Sequence, residues 1–232
     1  MYGSYSEVLT KEQTNSLLRT VYNWMMLGLF LSGITALFTA NSYTMMQILY
    51  GNPMTMWILL FAELGLVFAI SGGINRFASS TAAGLFILFS IVNGLTLSSI
   101  FIVYSIGTIA TTFFVTGLTF GVTSFYGYVT KTDLTSFGKY LFMALIGIVI
   151  ASVVNIFLHS TSLDWIISYI GVILFVGLTA YDTQKIKRMG EQAMSFGGET
   201  YRKIAIIGAL ALYLDFINLF LFLLRIFGGR RD

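Results

Sequence analysis

The chain has 232 residues, 56% of them hydrophobic and 10% charged, with a mean hydropathy of +0.83 and a net charge of +3. A soluble domain carries about 25% charged residues, so this composition argues against one and describes a chain that belongs in a bilayer. The absence of cysteine excludes disulfides, thiol catalysis and cysteine metal sites, and a lone His159 cannot build a zinc site of the usual kind.

The first twenty residues, MYGSYSEVLTKEQTNSLLRT, are polar and mixed in charge and show no cleavable signal. They are expected to form a cytoplasmic N-terminal segment, with residues 21–232 forming one membrane domain. Seven segments approach or exceed the length of about 20 residues that crosses a bilayer. They are Val21–Ala40, Met54–Gly73, Ala82–Tyr104, Ile106–Val129, Tyr140–Leu158, Trp165–Asp182 and Ile204–Phe227. The connections are short and polar, among them NSYTMMQILYGNP with the only proline, Pro53, and HSTSL before Asp164. Ser105 and Gly107 are the expected turn between the third and fourth spans. The fold class is therefore all-α, a polytopic bundle of seven transmembrane helices.

Orientation follows from Lys and Arg. With an inside N-terminus, the inner segments carry Lys11, Arg19, Arg76, Lys131, Lys139, Lys185, Lys187, Arg188, Arg202 and Lys203, ten of the 13 basic residues. The three outer loops carry none, which satisfies the positive-inside rule and explains a pI near 9.1 without nucleic acid. Arg225, Arg230 and Arg231 fall outside if the seventh segment crosses and inside if it is re-entrant. Crossing is preferred, because re-entry against lipid leaves backbone groups unpaired. Small residues recur at packing spacing in Gly28/Ser32, Gly65/Ala69/Gly73, Gly117/Gly121 and Gly147/Ala151.

Asp215 lies near the middle of the apolar run LALYLDFINLFLFLLR. A carboxylate in hydrocarbon costs several kcal/mol on any scale, so a chain keeps one where it has a partner or a use. On a helix Gly208, Ala211, Asp215 and Asn218 share one face, small and polar, which points the carboxylate at other helices. Two further acids stand out. Glu63 sits about 13 Å into the second span, at about 1.5 Å per residue, where it could line a pore or simply bond another span. Asp182 ends the sixth span at the inner face, near Arg76, and could equally pair with Lys185 or Arg188.

A guanidinium and a carboxylate at the inner face could form a bidentate latch that closes a pore. Two carboxylates that meet share a proton, for which a cation competes. Calcium prefers oxygen ligands, and Asp182, Asp215, Asn218 and backbone carbonyls would supply them. Depth opposes the meeting of the two aspartates, since Asp215 lies about 18 Å from Lys203 and Asp182 one turn from Lys185. A later end to the sixth helix, or a seventh that begins outside the bilayer, would remove that obstacle.

The stretches GLTAYDTQKIK and ALALYLDFINLFLFLLRIFG resemble the Bax inhibitor family, and NGLTLSSIF and MALIGIVIASVVNIF resemble its bacterial branch. The resemblance covers nearly the whole chain. It implies a seven-helix fold with a central seventh helix and a pH-sensitive calcium leak governed by an aspartate pair and an arginine latch. The pair falls on Asp182, within YDTQ, and on Asp215, within LYLDFIN; the latch falls on Arg76. The interval between the aspartates is longer here than in the family pattern, through GEQAMSFGGETYR. The cell-death role of animal members does not carry over to a bacterial-type chain.

The resulting expectation is a pH-sensing cation leak of a bacterial inner membrane, not an enzyme, with no cofactor and with calcium as the bound or transported ion. Its partners are the bilayer, calcium, protons and other membrane proteins. Two other classes compete. One is a regulatory protein that binds other membrane proteins, such as a membrane protease, and transports nothing. The other is an intramembrane aspartyl protease, since Tyr181-Asp182 and Asp215 imitate its aspartates. Against that reading, Leu212-Tyr213-Leu214-Asp215 stands where those enzymes carry a GxGD motif.

Overall fold

The computed structural model describes residues 2–74, 76–192 and 198–228. These residues form helices and no strand: α1 (Tyr2–Ala40), α2 (Tyr43–Tyr50), α3 (Pro53–Gly73), α4 (Ser79–Leu97), α5 (Ile100–Val103), α6 (Ile106–Val129), α7 (Thr135–Leu158), α8 (Thr161–Gln192) and α9 (Gly198–Phe227). Seven stretches among them are long and apolar enough to cross a membrane, and each overlaps one of the expected spans. Arg230 and Arg231 lie outside the described residues, as does the middle of GEQAMSFGGETYR.

The sequence explains most boundaries. Ser42 caps α2 by accepting a hydrogen bond from the Met45 N–H, so the connection read as a polar loop folds into a short helix. Asn52 caps α3, with Pro53 in its first turn, where a missing N–H costs nothing. Ser105 caps α6, and Gly107 falls inside that helix. His159 ends α7 in the left-handed conformation, at φ 49°, a structural use for the one histidine. The polar N-terminal residues are part of α1, helical from Tyr2.

The described residues divide into two compact units, one of Met1–Val103 and Ile186–Tyr213, the other of Tyr104–Lys185 and Leu214–Asp232. In the first unit α1 packs on α4, α3 packs on α4, and α2 touches α1 and α3. Gly28 lies under the Phe86 ring, and Gly94 brings α4 against the α1 backbone at Ser32. Phe86 and Phe89 set their rings edge-on to Tyr213, burying all three.

In the second unit Gly127 of α6 meets the α8 backbone at Ala180, and Gly138 of α7 meets the Tyr181 ring. Phe216 and Phe220 of α9 pack on Phe113 of α6. The ring of Phe222 lies over Gly171 of α8.

Of the small-residue pairs, only Gly28/Ser32 brings two spans together as expected. Gly65, Gly117, Gly121 and Gly147 face open space, and Gly73 meets Phe77 of its own turn. The spacing could not tell a helix-facing glycine from a lipid-facing one, because both surfaces are apolar. The difference predicts opposite signs for one change. A Cβ on Gly94 would sit 2.7 Å from the Ser32 carbonyl oxygen, so Gly94→Ala should lose about 1–3 kcal/mol. A Cβ on Gly117 meets nothing within 4 Å, so Gly117→Ala should gain about 0.5–1 kcal/mol through helix propensity alone. Thermal unfolding in one detergent checks both; the same sign for the two would refute the packing assignment.

The seventh span is a single helix that runs back along α8. Arg225, in the last turn of α9, pairs with Asp164, in the first turn of α8, at 3.7 Å. Two helices that run in opposite directions return the chain to the end where α8 began. With both partners 45% exposed the pair marks topology and adds little stability. In the most apolar 18 residues of α9 72% are buried, against 39% in the corresponding part of the next most buried spans.

Candidate functional site: two carboxyl groups on adjoining helices

Each residue of YDTQ in α8 has its own partner in the second unit. The Tyr181 ring lies on Gly138, where a side chain would not fit. Thr183 exchanges a hydrogen bond of 2.8 Å with Ser124 of α6. Gln184, 5% exposed, accepts from the Leu134 N–H and donates to the Thr132 carbonyl, both at 2.8 Å. The helix turn around Asp182 is thus fixed to α6, to α7 and to the turn between them. A fixed rotation of α8 leaves Asp182 facing α9.

Asp215 faces it there. The two carboxyl groups lie within hydrogen-bonding reach of each other, and the Lys185 charge acts on Asp182. Asp215 is 4% exposed, and its Oδ2 has no hydrogen-bond partner among the described residues. Buried polar atoms are nearly always satisfied, so an orphaned carboxylate oxygen is suited to receive a proton or a cation. The depth obstacle disappears because both helices are longer than the apolar runs indicate. α8 continues past Asp182 to Gln192, and α9 starts at Gly198, well before Asp215.

The other sequence-selected residues are placed as follows. Asn218, one turn beyond Asp215, donates its amide N–H to the Leu214 carbonyl at 2.8 Å, which leaves its amide oxygen free to accept. Glu63 lies in the first unit. It accepts from Thr96 Oγ1 at 2.5 Å and from Asn93 Nδ2 at 3.3 Å. Asn93 in turn accepts from the Tyr213 hydroxyl at 2.8 Å, and that hydroxyl meets Ser32 Oγ at 2.6 Å. Arg76 also belongs to the first unit, exposed in the turn between α3 and α4, with its N–H on the Gly73 carbonyl.

Sequence reasoning missed the donors around Glu63 and the bracing by Thr183 and Gln184. Hydroxyl and amide residues are common in spans, where most bond their own helix, so their type and spacing did not distinguish these from the rest. The described residues contain no cluster of three or more acidic, histidine or cysteine side chains.

The family described as "Inhibitor of apoptosis-promoting Bax1" matches residues 14–232. The chain is 55% identical over 211 residues to the inner membrane protein YbhL of Escherichia coli K12, covering 91% of this chain and 90% of that one. It is 46% identical to a protein of Borreliella burgdorferi, over 97% of this chain and 96% of the relative. An uncharacterized membrane protein of Streptococcus pyogenes is 36% identical, with 94% of each chain covered. With the match running through all seven spans, this chain is a polytopic all-α membrane protein of the bacterial branch of the Bax inhibitor family.

Proposed function

We propose that the protein is a pH-sensitive calcium leak of a bacterial inner membrane, gated by the Asp182–Asp215 pair and by an Arg76 latch on its cytoplasmic side. The reading rests on one observation: two carboxyl groups meet inside the helical unit, one of them with an orphaned oxygen. Two anions so close oppose each other, and either a shared proton or a cation relieves the repulsion. The same site therefore binds calcium or a proton in competition. Arg76 is the cation that would close the inner mouth on Asp182 by a bidentate pair. Glu63 and Asn218 offer further oxygen ligands along the path. The chain works without a cofactor and catalyses no reaction.

The N-terminus lies inside, on the strength of the ten basic residues that then face the cytoplasm. A reporter fused after Asp232 should be active only on the external side; internal activity would sink the crossing seventh segment while leaving the first six intact.

Calcium flux into proteoliposomes at several pH values, for wild type and Asp215→Asn, tests the function. Flux that depends on pH in wild type and loses that dependence in Asp215→Asn is the expected result. No flux at any pH would favour the regulatory protein instead, and cleavage of a helical peptide would favour the protease.

A further inference from the structure

The end of the GEQAMSFGGETYR stretch has no part in the aspartate pair, yet its described residues make specific bonds in the first unit. Glu199, in the first turn of α9, reaches the start of α4: Oε1 accepts the Ser79 N–H at 2.5 Å and Oε2 accepts the Ser79 hydroxyl at 2.8 Å. α4 needs this. Its own N-cap position is Ala78, which has no side chain able to accept a hydrogen bond, although its extended backbone suits a cap. Two residues on, the Tyr201 hydroxyl meets Ser16 Oγ at 3.1 Å and Thr20 Oγ1 at 3.4 Å on α1. The opening of α9 is therefore bonded to both α1 and α4.

The α4 end of this arrangement is where the Arg76 turn joins the helix. Phe77, beside Arg76, folds back onto Gly73 at the end of α3. Arg76 stands three residues before Ser79.

We infer that Glu199 is a positioning residue for the latch, a staple that borrows the α4 cap from α9 and so fixes the turn that carries Arg76. The inference deepens the leak proposal and rests on it for its gating consequence. Breaking the staple displaces Arg76 without removing its charge.

The test uses the full chain in bilayers, with calcium efflux and amide exchange of residues 79–81 measured in parallel. Glu199→Ala should speed that exchange and raise the leak at neutral pH roughly three- to tenfold, the net scale of the two partly exposed hydrogen bonds it loses. Combined with Arg76→Ala, it should add little. Ala78→Asp in the Glu199→Ala background gives α4 a cap of its own: exchange should slow again while the leak stays high, because the tether to α9 is still missing. A leak at wild-type level in Glu199→Ala, or one restored by Ala78→Asp, would overturn the staple, leaving an ordinary helix cap. Absence of calcium flux from wild type and Arg76→Ala alike would instead sink the leak reading, and the gating role with it.

Discussion

Asp182→Asn and Asp215→Asn should each remove most of the pH dependence of calcium binding, and the double variant should do little more than either. In the proposed leak, one proton competes with the ion for the paired carboxyl groups. Calcium binding should then weaken on acidification by up to about tenfold per pH unit, the slope that one linked proton gives. The sign follows from charge: a proton added to the pair removes the anion that holds the cation. Either substitution leaves a single carboxylate with no like charge beside it, so the shared proton is lost and most of its competition goes with it. The effects must therefore be strongly non-additive, with a coupling of about 0.5–3 kcal/mol between contacting groups. Independent, additive effects would make the aspartates separate structural residues.

Arg76→Ala should raise the leak at neutral pH by about ten- to a hundredfold, the scale of a lost hydrogen bond to a charged group. In the proposed latch, removing the guanidinium leaves a carboxylate at the inner face without its cation and frees the mouth. Arg76→Lys should fall between the two, since an ammonium keeps the charge but cannot make the planar bidentate pair. Efflux from calcium-loaded proteoliposomes measures all three. An unchanged leak in a well-folded Arg76→Ala protein would return Arg76 to the role of an inner-side topology marker.

Much of this architecture is legible in the residues. Uninterrupted apolar runs set all seven spans, because a bilayer demands length and low charge above any other property. Asp182 and Asp215 stand out for the same reason: an acid among Leu and Phe has few bland explanations. Their meeting was not legible. Composition ends the sixth span at Asp182, where polar residues begin, whereas α8 continues to Gln192. Hydropathy marks where hydrocarbon ends, not where a helix ends, and α8 and α9 both extend beyond it. The surroundings of Glu63 were hidden differently. Thr96, Asn93 and Tyr213 come from two helices, and no local pattern shows which hydroxyl faces which span. Gly94 and Gly117 open the same tripeptide, GLT, yet one carries a helix crossing and the other faces outward.

The competition of proton and calcium for one pair of carboxyl groups can be observed at the carboxyl groups themselves. Infrared difference spectra of the purified protein in bilayers, recorded across pH with and without calcium, follow the stretch of a protonated carboxylic acid. A band that grows on acidification, disappears when calcium is added at constant pH, and is missing from Asp215→Asn is the predicted result. A protonated band indifferent to calcium, or one that persists unchanged in both Asp182→Asn and Asp215→Asn, would contradict it.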